Sequence, residues 1–234
     1  MPDNLLIPSV DLRIGSLEEY NRRKKLKAGQ PRQKEKKPPC ITISREFGCE
    51  AYPVAEHLRE LMIRKTGEEW LLMDKALLEE VARRHNISEE VLRELGEKNR
   101  ILNEVFATFS ARWKSERDHF RLLCSHILSL GEQGNVIIVG RGSAIVTRHL
   151  ENCFHFRLFA SQAFKAASIS RRLNMSPEDA ETFVEKRQKH RDHFTSDFLG
   201  YDAKDVNLYH MLFNNDKIVP EKIAMTIADY VTSE

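Results

Sequence analysis

At 234 residues, with 41% hydrophobic and 31% charged residues, the chain has the composition of a globular protein that can form one α/β domain with insertions. Its longest apolar runs fall far short of the ~20 residues that span a bilayer, so no membrane partner is expected. The formal net charge is only +2, and Cys40, Cys49, Cys124 and Cys153 stand far apart without a CxxC pair, which argues against a disulfide framework and against any metal site.

Residues 1–15 offer Leu5, Leu6 and Ile7 but no charged segment ahead of a longer apolar core, so no signal peptide is read there and a cytoplasmic location is expected. Ser16 and Glu19 have the spacing of a capping box, which predicts a short helix over 17–27. The stretch 21–39 crowds Arg22, Arg23, Lys24, Lys25, Lys27, Arg32, Lys34, Lys36 and Lys37 against Glu35 alone and closes on Pro38 and Pro39. Such a segment cannot build a packed core and reads as an extended or disordered linker. It is read first as solvated chain, and second as a patch for nucleic acid or another acidic partner. The chain is thus divided into an N-terminal arm, 1–39, and a folded domain, 40–234.

Beyond Pro39, short β-branched apolar runs alternate with longer amphipathic stretches, the pattern of βα units around a parallel sheet. Five strands are predicted, over 40–44, 70–73, 136–139, 154–159 and 208–214, several of them apolar throughout, as strands buried on both faces are. A helix over 53–65 carries Val54, His57, Leu58, Leu61 and Met62 at three- and four-residue spacing. Further helices are expected over 75–84, over 89–97 behind a Ser88 cap, and over 112–130 with Phe120, Leu123, Cys124, Ile127 and Leu128 on one face. Ser176-Pro177-Glu178-Asp179 combines a cap, a first-turn proline and two acids, so a helix starts there and runs toward Phe194. Pro220 opens a last helix, to about Val231.

In open α/β sheets ligands sit outside the carboxyl ends of the strands, which makes the loops after the strands the places for chemistry. The first reads Ser44-Arg45-Glu46-Phe47-Gly48-Cys49-Glu50-Ala51-Tyr52-Pro53. It runs from a strand through a glycine to a helix start that can aim backbone N–H groups at an anion. The GxxxxGK[ST] pattern is absent, with no lysine for terminal phosphates and no Ser or Thr at the helix start. Arg141, between Gly140 and Gly142 after the third strand, sits where small neighbours let a ligand approach the backbone. Arginine suits phosphate because its planar fork meets two oxygens at once.

Ile41-Thr42-Ile43-Ser44-Arg45-Glu46-Phe47-Gly48 resembles the opening motif of the cytidylate kinase-like family. Leu72-Met73-Asp74-Lys75 with Leu77, Val136-Ile137-Ile138-Val139-Gly140-Arg141-Gly142, and Tyr209-His210-Met211-Leu212-Phe213-Asn214 are similar to that family's later segments, in the family's order. The resemblance implies a three-layer P-loop kinase-like α/β core, a five-stranded parallel sheet flanked by helices, with inserted helical and lid segments. It implies transfer of the ATP γ-phosphoryl group to CMP or a similar nucleotide, with Mg²⁺ accompanying ATP. Carried onto this chain, it implies Arg45, Arg141 and Arg191 as catalytic residues, and Ser44, Gly48, Asp74, Gly140, Gly142 and Lys165 as nucleotide or phosphate ligands. Arg171, Arg172 and Arg187 are read equally as a solvated helix face. Asp74 is read equally as an acid that favours the dipole of the helix it begins.

Several positions depart from the family pattern. Cys49-Glu50-Ala51-Tyr52 stands where the family has Ser-Gly-Gly-Arg, and Lys165, Gln188 and His210 replace an arginine and two aspartates. A carboxylate beside a triphosphate is electrostatically unfavourable, and Ala51 permits neither positive φ nor close backbone approach as glycine does. Two readings follow: a nucleoside monophosphate kinase of reduced activity, or a kinase-fold protein without catalysis that binds nucleotide or a protein partner.

Overall fold

The computed structural model describes residues 37–78 and 114–233. The readings for 1–36 and for 79–113, including the helix expected over 89–97, lie outside these residues. Strands β1 (Cys40–Arg45), β2 (Leu71–Met73), β3 (Val136–Val139), β4 (Cys153–Phe159) and β5 (Met211–Asn214) form one parallel sheet in the order β2-β3-β1-β4-β5. This is the predicted five-stranded parallel core, with β1 at its centre.

The strands are mainly apolar because both faces of the central ones are covered, with Thr42, Ser44 and Arg45 in β1 and His155 and Arg157 in β4 as exceptions. Side chains alternate across a strand, so Cys40, Val136 and Ile138 join one core and Ile41, Ile43, Ile137 and Val139 the other. The first core is covered by helix α2 (Lys114–Gln133), through Leu123, Cys124, Ile127 and Leu128. The second is covered by α1 (Ala51–Thr66), through Val54, Leu58 and Met62, and by α6 (Pro220–Ser233), through Ile223, Ala224 and Ile227. Three further helices sit near the carboxyl ends of the strands: the single turn α3 (Ser143–Val146), α4 (Gln162–Leu173) and α5 (Pro177–Leu199).

Differences from the predicted bounds have local causes. The last strand begins at Met211 rather than Leu208, because Asp205 accepts from the Asn207 N–H at 2.9 Å and closes a 3₁₀ turn over Val206–Leu208. Helix α5 runs past Phe194 to Leu199, where Gly200 adopts φ +67° and returns its N–H to the Ser196 carbonyl at 3.0 Å. Its start is as read: Ser176 accepts from the Asp179 N–H and Pro177 occupies the first turn. Trp70 falls just outside β2 and donates its indole N–H to Thr66 at 3.1 Å. No helix among the described residues is long and apolar enough to cross a membrane.

Candidate phosphate-binding cleft

The sheet order reverses at its centre, since β1 leads outward to β3 on one side and β4 on the other. A crevice opens at the carboxyl ends of such strands. Here it is a cleft of about 400 Å³ walled by the loop after β1, the Gly-Arg-Gly turn after β3 and the inner face of α5.

The turn after β3 is the most constrained part of the wall. Gly140, Arg141 and Gly142 take positive φ in succession, +82°, +55° and +67°. The conformation is free for glycine and costs an arginine about 1 kcal/mol, so something holds Arg141 there. A methyl group at Gly140 would collide with the Arg45 guanidinium, and one at Gly142 with Leu199. Arg141 lies over the Phe194 ring of α5 at 5.0 Å. Its burial, with Arg45 nearby, pushes its guanidinium down to about 10. It stays charged at neutral pH, but at a cost that an anion would relieve.

The loop after β1 is built differently from an open phosphate cradle. The Phe47 N–H donates to Gln188 Oε1 at 2.8 Å, the Cys49 N–H to the Glu46 carbonyl at 3.4 Å, and the Glu50 N–H to Asn215 Oδ1 at 2.8 Å. Pro53 has no N–H at all. Four positions that could have faced phosphate are therefore committed to the protein or lack a donor. Gly48, at φ +96°, packs on the backbone of Lys165, where an added Cβ would stand 2.9 Å from the lysine Cα. Burial, with Glu46 adding, pushes the Cys49 thiol up to about 12, so it is no nucleophile at neutral pH.

The loop acids are turned aside. Glu50 lies 3.3 Å from Ser168 Oγ and 3.7 Å from Arg171, so the carboxylate that looks misplaced in the sequence has a partner away from the cleft centre. Glu46 takes Lys165 Nζ at 2.8 Å and faces Arg157 at 4.0 Å.

Of the nine residues predicted for the site, eight line this cleft: Ser44, Arg45, Gly48, Asp74, Gly140, Arg141, Gly142 and Arg191. Lys165 is placed instead beneath the loop, on Glu46. Asp74 is buried and caps the helical turn after β2 by accepting from the Leu77 N–H at 3.0 Å, so its capping role and its place in the cleft coexist. Arg191 stacks over Phe47 at 4.9 Å and donates to the Arg45 carbonyl at 3.3 Å. Arg172 and Arg187 also line the cleft, whereas Arg171 serves Glu50.

The sequence reading missed Arg157. It stands on β4, only 4% exposed, donates to Ser44 Oγ at 3.4 Å and lies under Tyr209 at 5.7 Å. The signal was present, since one arginine in the apolar run Cys153–Phe159 is out of keeping with a strand buried on both faces. The tether from Gln188 had no such signal, because only the folded chain brings it to Phe47.

A profile of the cytidylate kinase-like family matches residues 40–217. The chain belongs to the cytidylate kinase-like family. Its five-stranded parallel sheet flanked by helices is the core that the family resemblance implied. An uncharacterized protein from Eubacterium ventriosum ATCC 27560 shares 20% identity, with 85% of this chain and 100% of that one covered, at a TM-score of 0.65. Shikimate kinase from Bacteroides thetaiotaomicron is a more distant likeness, 14% identical over 83% of this chain and 98% of that one, at a TM-score of 0.44. None of the curated proteins matches the sequence.

Kinases that keep a magnesium ion on this loop use a hydroxyl at the helix start. Here Ala51, Tyr52 and Pro53 stand there, and among the described residues no three His, Cys, Asp or Glu side chains gather as ligands. The start of α1 thus offers no Ser or Thr to such an ion, and a Mg²⁺ arriving with ATP would be held mainly by the phosphates.

Proposed function

We propose that this cytidylate kinase-like protein binds a nucleotide by its phosphates in the arginine cleft, and that it transfers the γ-phosphoryl group of ATP to CMP or a similar monophosphate slowly. The observation that carries the reading is the convergence of Arg45, Arg141, Arg157 and Arg191, from three strand ends and one helix, on a single cleft. Each charge-assisted bond from arginine to phosphate contributes about 1.5–3 kcal/mol, so two or three of them suffice to hold a monophosphate. In-line transfer is mostly positioning and charge neutralisation. Arg141 and Arg45 are the groups set to neutralise the acceptor, and Arg191, from the helix that resembles a lid, the group set to reach the transferred phosphoryl. The rate is held down by the first loop, where the Phe47, Cys49 and Glu50 N–H groups are spent on the protein itself. A reaction that draws on ATP belongs in the cytoplasm.

The same loop supports a second reading, a nucleotide binder without turnover. Phosphorus NMR separates the two: with saturating ATP and Mg²⁺ and each nucleoside monophosphate in turn, the first reading expects slow formation of ADP and a nucleoside diphosphate. Absence of any diphosphate over days, in a sample that binds nucleotide, leaves the second reading.

A further inference from the structure

Cys40, Cys49, Cys124 and Cys153 are all free and buried, and two of them meet. Cys40 opens β1 and Cys153 opens β4, and the parallel ladder between these strands sets the two side by side as Cα partners. Registered neighbours point to the same face of a sheet, and both side chains enter the core beneath α2. Their sulfurs share a hydrogen bond in which the Cys40 thiol donates and Cys153 accepts. Neighbouring strands lie about 4.8 Å apart, inside the span of roughly 4.4–6.8 Å over which Cα atoms carry a disulfide. Closing such a bond asks the two Cβ atoms to draw slightly together, and both stand at strand ends. Pro39 leads into Cys40, and a turn closed by the Cys153 N–H on the Leu150 carbonyl leads into Cys153.

Packing alone accounts for the other two cysteines, since a free thiol behaves as a small hydrophobe. Burial pushes the Cys124 thiol up, and pushes Cys49 up to about 12 with Glu46 adding, so neither supplies a thiolate at neutral pH. In the pair the shared hydrogen bond works in opposite directions. It pushes Cys40 up, with burial adding, and it draws Cys153 down, because a thiolate at Cys153 keeps its donor. Cys153 is also the less enclosed of the two, 4% exposed against 0%.

We infer that Cys40 and Cys153 form a dithiol site that a peroxide oxidises to a disulfide, with Cys153 as the attacking sulfur and Cys40 as the resolving one. The Cys153 thiolate attacks one peroxide oxygen, the O–O bond breaks, and the leaving hydroxide takes up the proton that the thiol gave to solvent. The Cys40 sulfur then attacks the resulting sulfenic acid: an S–S bond forms, the S–O bond breaks, and the oxygen leaves as water with the Cys40 proton. Two thiols together lose two electrons and the peroxide becomes two waters. The bond ties β1 to β4 at the end of the sheet opposite the cleft, on the same strands that carry Arg45 and Arg157. The inference does not depend on nucleotide binding.

Hydrogen peroxide added to the native full chain, and then removed with catalase, tests this. Thiols left free are alkylated after unfolding, and peptides are read by mass spectrometry with and without reductant. The expected product joins the Cys40 and Cys153 peptides through a reductant-sensitive bond and leaves Cys49 and Cys124 alkylated. Cys40→Ala, its folding checked by Tm, is expected to stop at a Cys153 sulfenic acid that dimedone traps. Alkylation of every cysteine after peroxide, a bond through Cys49 or Cys124, oxidation of Cys153 to sulfinic acid with Cys40 still free, or no trapped product in folded Cys40→Ala would overturn the inference. Each of these results leaves the proposed function standing.

Discussion

Arg157 shows what a single buried charge does in this cleft. An arginine inside an apolar strand is retained only where partners meet it, and Ser44, Tyr209 and, at 4.0 Å, Glu46 do so. Lys165 is in a similar position, 12% exposed and 2.8 Å from a Glu46 carboxylate that is itself 21% exposed. Removing Lys165 from so enclosed a pair costs about 3 kcal/mol, because Glu46 keeps only its longer contacts to Arg157 and the Ala160 N–H. Lys165→Met is therefore expected to lower the unfolding free energy by about that amount, and Lys165→Met with Glu46→Gln by less, as read from urea denaturation. Equal losses for the single and the double variant would show that the pair contributes little.

His155 is the residue on which acid stability turns. It is buried, hydrogen-bonded to Thr42 at 2.8 Å, and pushed down to about 4 by burial with His210 beside it. The unfolded chain protonates this imidazole near 6.5. Between that pH and about 4 the unfolded state binds more protons, so stability falls as pH drops through that window, by up to roughly 3 kcal/mol. Tm measured from pH 7 to pH 4.5 is expected to fall more steeply for the native protein than for His155→Gln. Parallel slopes would contradict this account.

At the scale of elements, the loop after β1 and helix α5 act as one body. Gln188 accepts from the Phe47 N–H and holds Asp192, Arg191 reaches the Arg45 carbonyl and stacks on Phe47, and Phe47 meets Phe183 edge-on at 5.6 Å. Gln188→Ala is expected to speed hydrogen exchange of the Phe47 amide by about tenfold or more, since the bond that protects it is gone. Unchanged exchange would place the tether elsewhere. Gly48→Ala forces a side chain into φ +96° and against the Lys165 backbone, and is expected to cost about 2 kcal/mol or more in urea denaturation.

These elements also mark how far the sequence could be read. Strand β3 was legible because burial on both faces leaves a continuous apolar run, β1 and β4 because most of their residues are apolar or β-branched, and α5 because Ser176 and Pro177 announce its start. The site was legible where glycines flank a cation, at Gly140-Arg141-Gly142. It was not legible where function depends on contacts between remote segments: the placement of Lys165 on Glu46, of Glu50 on Ser168 and Arg171, and of Gln188 on Phe47. No local pattern encodes a hydrogen bond across 141 residues.

At the scale of the whole molecule, the folded domain reaches slightly ahead of β1. The Pro39 carbonyl accepts from the Asn135 N–H at 2.7 Å and the Pro38 carbonyl from Asn152 Nδ2 at 2.8 Å, so the two prolines belong to the packed body rather than to the basic segment before them. Gly134 fits closely against the Pro38 backbone. A chain beginning at Cys40 is expected to melt at a lower temperature than one beginning at Lys37, and equal Tm values would show that the two prolines contribute little.

A cleft that holds a nucleotide by its phosphates must distinguish CMP from cytidine. The most direct test is calorimetric titration of CMP into the native protein and into Arg141→Gln, alongside cytidine as the ligand without phosphate. Saturable CMP binding is expected, with no measurable cytidine binding and an affinity at least about tenfold weaker in Arg141→Gln, whose folding is checked by Tm. Equal binding of CMP and cytidine, or an Arg141→Gln variant that binds CMP as the native protein does, would contradict it.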